Sequence, residues 1–218
     1  VLELLGIEVL GIELPTFEVI WVFLLASTAL GIAPGPDNIF VLAQSSQHGA
    51  RAGILVTLGL CTGLIVHTSL VAIGVAALFQ SSEIAFTALK VLGATYLLYL
   101  AWRAFRAPAS AELETSSPDG HLYVRGVIMN LTNPKVAIFF LAFLPQFANP
   151  DLGSVPLQIV MYGLMFIVVT LFVFGFIAIT AGRLGLWLRR SLTMQLWLNR
   201  LAGLVFVGLA LRLLSAER

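Results

Sequence analysis

The chain has 218 residues, 59% of them hydrophobic and 11% charged, with a formal net charge of +1 and a mean hydropathy of +0.99, whereas roughly 25% of a soluble domain is charged. Water is therefore excluded as the solvent of the fold, and no length remains for a second, soluble domain. Lys and Arg are scattered, which gives no footprint for nucleic acid, and the one cysteine, Cys61, excludes an internal disulfide, a CxxC pair and a thiolate zinc site.

Residues 1–15 read as an N-terminal extension in which LGIE occurs at 5–8 and again at 10–13. Glu3, Glu8, Glu13 and Glu18 come before or open the first apolar run without a Lys or Arg. A cleaved signal peptide, which needs a basic start, is not expected.

Residues 16–218 are predicted to form a single all-α integral membrane domain of about six spans, since a bilayer core takes ~20 apolar residues per helix and only helices satisfy such runs in lipid. The first span runs from Phe17 to Gln47 and is interrupted by APGPDN at 33–38. Pro34 and Pro36 lack an N–H, so the carbonyls of Leu30 and Ile32 lose their helical donors, and Gly35 loosens the backbone further. Asp37 and Asn38 follow directly, within the span. A charge at the bilayer centre costs about 3 kcal/mol, so Asp37 is expected to face a polar interior. The other reading makes it an interfacial loop residue or a cap for the half-helix that follows.

The second span is predicted from Ala52 to Phe79 and the third from Ile84 to Phe105. Gly59, Gly63 and His67 recur every four residues on the second, so they share a face that allows close helix approach. His67 then faces protein, as a hydrogen-bonded structural histidine or as a proton relay. A polar loop over 107–123 separates repeat one, 16–106, from repeat two, 124–218.

The fourth span, Val124–Phe147, carries NLTNPK at 130–135. Asn133 is a good N-cap and Pro134 suits the first helical position, so a half-helix should start there and run through VAIFFLAFL. Lys135, in its first turn, opposes the positive end of the helix dipole and needs a compensating anion, for which Asp37 is the leading partner. Snorkelling to the interface is the alternative for Lys135. Asn130 and Asn133 add amides at this break. The fifth span, Val155–Ala181, and the sixth, Trp197–Leu214, complete the domain.

Two three-helix repeats, each opening with a proline-broken helix (helices 1 and 4), enter the membrane from opposite sides. That is the inverted-repeat pattern of secondary transporters, in which the paired breaks mark the substrate site. Arg51, Arg103, Arg106, Arg125, Arg183, Arg189, Arg190 and Arg200 fall in the links expected inside, which directs the N-terminus outward. Arg212 and Arg218 oppose that placement for the C-terminus, and a five-span count would put it inside.

APGPDN at 33–38, LKVLGATYLLYLAWRAFR at 89–106 and NLTNPKVAIFFLAFLPQF at 130–147 resemble the signature segments of the LysE/RhtB family of amino-acid exporters, and the likeness extends from Phe17 to Leu214. The last segment resembles the homoserine and threonine exporter branch. The resemblance implies a multi-pass carrier of the bacterial cytoplasmic membrane, not an enzyme, that expels amino acids or close derivatives in exchange for protons. It carries over to Pro34, Gly35, Pro36, Asp37, Asn133, Pro134 and Lys135. The expected partners are an amino-acid substrate, protons and the lipid bilayer, with no cofactor, and a homo-oligomer is allowed. A divalent metal-ion or other small-solute exporter of the same layout is the rival reading. Only Asp37 and His67 could ligate a metal within the spans, and no metal site is expected.

Overall fold

A computed structural model describes residues 8–9, 12–33, 35–81, 83–106, 121–190 and 192–215. Pro34 and most of the central loop, 107–120, lie outside the described residues. Glu8–Val9 (β1) and Ile12–Glu13 (β2) pair antiparallel, Glu8 opposite Glu13, so the two LGIE copies end as a short hairpin that the helical reading had not anticipated.

The rest of the described chain is helical. The first broken span is α1 (Phe17–Ile32) and α2 (Pro36–His48), bent by 60°. Then come α3 (Ala50–Ser81) and α4 (Glu83–Arg106). The second broken span is α5 (Leu122–Thr132) and α6 (Pro134–Ala142), with a 3₁₀ turn at Leu144–Phe147 and a bend of 54°. Finally, α7 spans Val155–Arg190 and α8 Leu192–Ser215.

Several boundaries differ from the expected ones, α8 opening at Leu192 and not at Trp197, and two of them differ for identifiable reasons. The half-helix that starts at Pro134 stops at Ala142, short of Leu144, because Pro145 brings no N–H for the carbonyl of Leu141. In contrast, α7 runs nine residues past Ala181, since the last proline of the chain is Pro156 and nothing after it forbids the helix.

Among the described residues, Ala50–Gly74 and Val155–Ala181 can each cross a membrane by length and composition, and up to four spans result if each bent pair counts as one. Large apolar side chains stand on the outer face: Phe172 is 75% exposed, Ile73 74% and Ile179 70%, as a membrane-spanning surface requires.

The two long helices α3 and α7 pack on each other, and α4 packs on α8. The seam between α3 and α5 is backbone on backbone. A Cβ on Gly59 would land on the carbonyl oxygen of Tyr123, and one on Gly126 would land on that of Val56. Gly63 gives its space to the side chain of Asn130, whose Oδ1 would stand 2.5 Å from an added Cβ. The small-residue face read from the sequence is thus the contact that brings the second break against α3. At the opposite end of the bundle, Gln158 accepts from the Asn149 N–H (2.9 Å) and donates to the Asn149 carbonyl (2.7 Å), fastening the turn between α6 and α7.

Candidate functional site at the two helix breaks

The breaks meet in the interior. α1 ends with carbonyls that its own helix leaves unpaired: Pro34 has no N–H to offer Leu30, and those of Gly31 and Ala33 lie at the terminus, where the helix supplies no further donor. Side chains from both halves of the protein take them over. Lys135 donates through Nζ to the carbonyls of Leu30 and Ala33, each at 2.8 Å, and the Asn38 side-chain amide donates to that of Gly31. Lys135 therefore answers its unfavourable place at the start of α6 by putting its ammonium on the negative, C-terminal end of α1. The expected direct pair with Asp37 is not the contact that forms. Asp37 acts on Lys135 through space, and the hydrogen-bonded partners are backbone carbonyls.

Asp37 sits in the first turn of α2, after Gly35 at the N-cap and Pro36 at the first position. It is only 6% exposed, stands within a helix and not in a loop, and lies beside the side-chain amides of Asn133 and Asn130. Its Oδ1 accepts no hydrogen bond, and neither does Oδ1 of Asn130. Buried acceptors without donors are rare in native interiors and call for a partner such as a water, an ion or a ligand.

The second break repeats the first with different donors. Asn133 is the N-cap expected of it, its Oδ1 accepting from the Lys135 N–H at 3.0 Å, with Pro134 at the first position. Pro134 deprives the Asn130 carbonyl of its helical donor. His67 Nε2 stands 3.3 Å from that oxygen, which also receives the Asn133 N–H. A carbonyl only accepts, so Nε2 carries the proton. His67 is buried against Phe140 and serves as a surrogate donor for a proline-broken helix.

Asp37, Asn38, Asn130, Asn133, Lys135 and Gly35 line one cavity of ≈ 20 Å³, room for about one water molecule. His67 borders it indirectly, through Asn130. Sequence reasoning missed the remaining wall: Leu60 and Leu64 from α3, and Phe166, Thr170 and Phe174 from α7. The α7 residues recur every four positions, so a polar Thr170 between two aromatics on one helix face was the available signal.

Aromatic rings fill the space between the cavity and the α6–α7 turn. Phe139 contacts Phe143 at 4.6 Å and Phe166 at 5.5 Å between centroids, Phe143 contacts Phe147 at 4.7 Å, and Phe23 contacts Tyr162 at 4.8 Å. The other end is thinner, closed by Phe40 and Phe174 with Leu60, and the Arg125 guanidinium lies 4.9 Å from the Phe40 centroid. Among the described residues no three His, Cys, Asp or Glu side chains gather as a metal site would require.

Residues 28–217 match the family model described as LysE type translocator. The chain is 36% identical over 205 residues to a homoserine/homoserine lactone efflux protein of Salmonella typhimurium, covering 93% of this chain and 98% of that protein. It is 31% identical over 204 residues to an uncharacterized membrane protein of Pseudomonas aeruginosa, covering 90% and 94%. It is 28% identical over 199 residues to a leucine efflux protein of an Enterobacter species, covering 89% and 94%. No solved structure matches the chain.

Proposed function

Because the chain belongs to the LysE family of translocators, we propose that it exports neutral amino acids or close derivatives, homoserine-like or threonine-like, across the bacterial cytoplasmic membrane, in exchange for protons. One observation carries this reading: the interior breaks bring a buried carboxylate, an ammonium and backbone carbonyls to a single cavity. A zwitterion needs both signs of charge and little else.

In this mechanism the substrate's ammonium goes to Asp37 and to the carbonyls at the end of α1. Its carboxylate goes to Lys135 and to the N–H groups that open α2 and α6. Protonation of Asp37 removes the negative charge that holds the ammonium, so a proton entering from outside releases the substrate there. The names of the relatives support the ammonium half in particular. Homoserine and its lactone share a primary ammonium, and only the open acid has a carboxylate, so a site for both must hold the ammonium.

Six spans in two inverted three-helix repeats, with the N-terminus outside, suit this mechanism. The second helices of the two halves, α3 and α7, pack on each other, as do the third, α4 and α8, which is compatible with a two-fold in the membrane plane. A cavity for one water also implies motion. An amino acid enters only when α2 and α5 part from α3 and α7 on the Phe40 side, and it leaves when the aromatic pile on the other side opens.

The test is an efflux panel. Cells lacking or overproducing the protein are loaded with amino acids and, separately, with divalent metal ions, and the rate at which each leaves is measured. Faster release of neutral amino acids with overproduction is the expected result. Release confined to divalent metal ions would favour the rival exporter reading.

A further inference from the structure

We propose that the carbonyls of Leu30 and Ala33 form a primary-ammonium site that Lys135 fills in the empty protein and surrenders to the substrate's own ammonium. The inference rests on the reading that an amino acid binds between the breaks. It adds that one side chain is a tethered competitor for half of that site.

The geometry carries it. The Lys135 ammonium meets two carbonyls at 2.8 Å each, at the negative end of α1, with the charge of Asp37 acting on it through space. A substrate ammonium asks for the same things: acceptors aligned at a helix C-terminus and a nearby carboxylate. The stem of Lys135 lies along Gly35, where an added Cβ would be 3.7 Å from Cδ and 3.5 Å from Nζ. The cavity beside it, ≈ 20 Å³, holds no second ammonium with its carbon skeleton. Asp37, whose Oδ1 accepts no hydrogen bond, is among the residues that line that space. Entry of a zwitterion thus requires Lys135 to leave the carbonyls, and the charges then balance. The incoming ammonium inherits the carbonyls, and the displaced Lys135, anchored at the start of α6, meets the incoming carboxylate.

A ligand with an ammonium and no carboxylate gains the carbonyls yet leaves Lys135 without a partner. It should bind the native protein weakly. Removing the competitor should improve it, as removal of any self-occupied state raises apparent affinity.

The test compares native protein with Lys135→Met, purified in nanodiscs, by calorimetric titration with L-homoserine, homoserine lactone and N-acetyl-homoserine. The expected result is lactone binding about tenfold tighter in Lys135→Met than in the native protein, weaker homoserine binding, and no binding of the N-acetyl compound to either. Unchanged or weaker lactone binding in the variant, while native protein still binds homoserine, would overturn the self-occupied site and leave the amino-acid reading standing. Failure of native protein to bind any of the amino compounds would overturn both. If Lys135→Met does not fold, Lys135→Ala is purified with ethylammonium chloride and its unfolding midpoint is followed. The proposal requires ethylammonium to raise the midpoint of the variant and not of the native protein, with tetramethylammonium inert, and an equal or absent effect contradicts it.

Discussion

Lys135 and Leu30, 105 residues apart, are joined by a 2.8 Å hydrogen bond from the lysine ammonium to a carbonyl that Pro34 has deprived of its helical donor. The first residues of each second half-helix thus serve the opposite break: Lys135 goes to the end of α1, and Asp37 goes to the amides of Asn130 and Asn133. Each charge is held by backbone and amide groups, with the other charge in attendance.

This arrangement predicts that exchanging the charges fails. In Asp37→Lys with Lys135→Asp, the new carboxylate would face the carbonyls of Leu30 and Ala33, acceptor against acceptor. The double variant should export no better than either single one in loaded cells. Recovery of efflux in the double variant would show that a direct ion pair, and not the carbonyl contact, is what matters.

His67 is predicted to serve as a hydrogen-bond donor, through Nε2 to the Asn130 carbonyl. His67→Gln, which retains an N–H donor, should keep the pH dependence of transport unchanged. His67→Leu should lose about 0.5–1.5 kcal/mol of stability, the net worth of one hydrogen bond, since the Asn130 carbonyl keeps the Asn133 N–H. A pH profile displaced in His67→Gln at unaltered stability would assign the residue to proton transfer instead.

The α3–α5 seam gives a steric prediction. Gly59→Ala and Gly126→Ala each drive a methyl group into backbone and should cost about 1–3 kcal/mol, lowering the unfolding midpoint in detergent. Gly74→Ala meets nothing within 4 Å and should be neutral or slightly stabilising, as alanine is the better helix former. Equal midpoints for all the variants would mean that the seam is looser than its geometry.

Both breaks were legible because proline chemistry is local: Pro36 and Pro134 each deny an N–H to a carbonyl four residues back, whatever surrounds them. The N-cap at Asn133 and the shared face of Gly59, Gly63 and His67 were legible for the same reason, as spacing fixes them. The partner of Lys135 was not. Charge alone pointed to Asp37, the acidic residue within the spans. The actual acceptors are main-chain oxygens, which carry no signature in the sequence and become available only through the fold. The α7 wall was hidden differently. Phe166, Thr170 and Phe174 share a face, yet in a helix apolar all round periodicity does not tell a lining face from a lipid face.

Asn133→Ala should test how far the second break depends on its cap. Loss of an N-cap oxygen costs about 1 kcal/mol, and here it also frees the N–H of Lys135 and removes an amide beside Asp37. A modest fall in unfolding midpoint with a larger fall in efflux is expected, whereas Asn133→Asp should keep the cap and regain the midpoint. If both substitutions leave efflux at the native rate, Asn133 has no part in the site beyond folding.

Proteoliposomes with an imposed pH gradient test the central claim most directly. Native protein is predicted to drive a neutral amino acid against its own gradient when protons flow the opposite way. Asp37→Asn, with its carboxylate replaced by an amide, is predicted to lose this concentrative transport altogether. Concentrative, proton-driven export retained at the native rate in Asp37→Asn would contradict the assignment of proton coupling to the buried carboxylate at the first break.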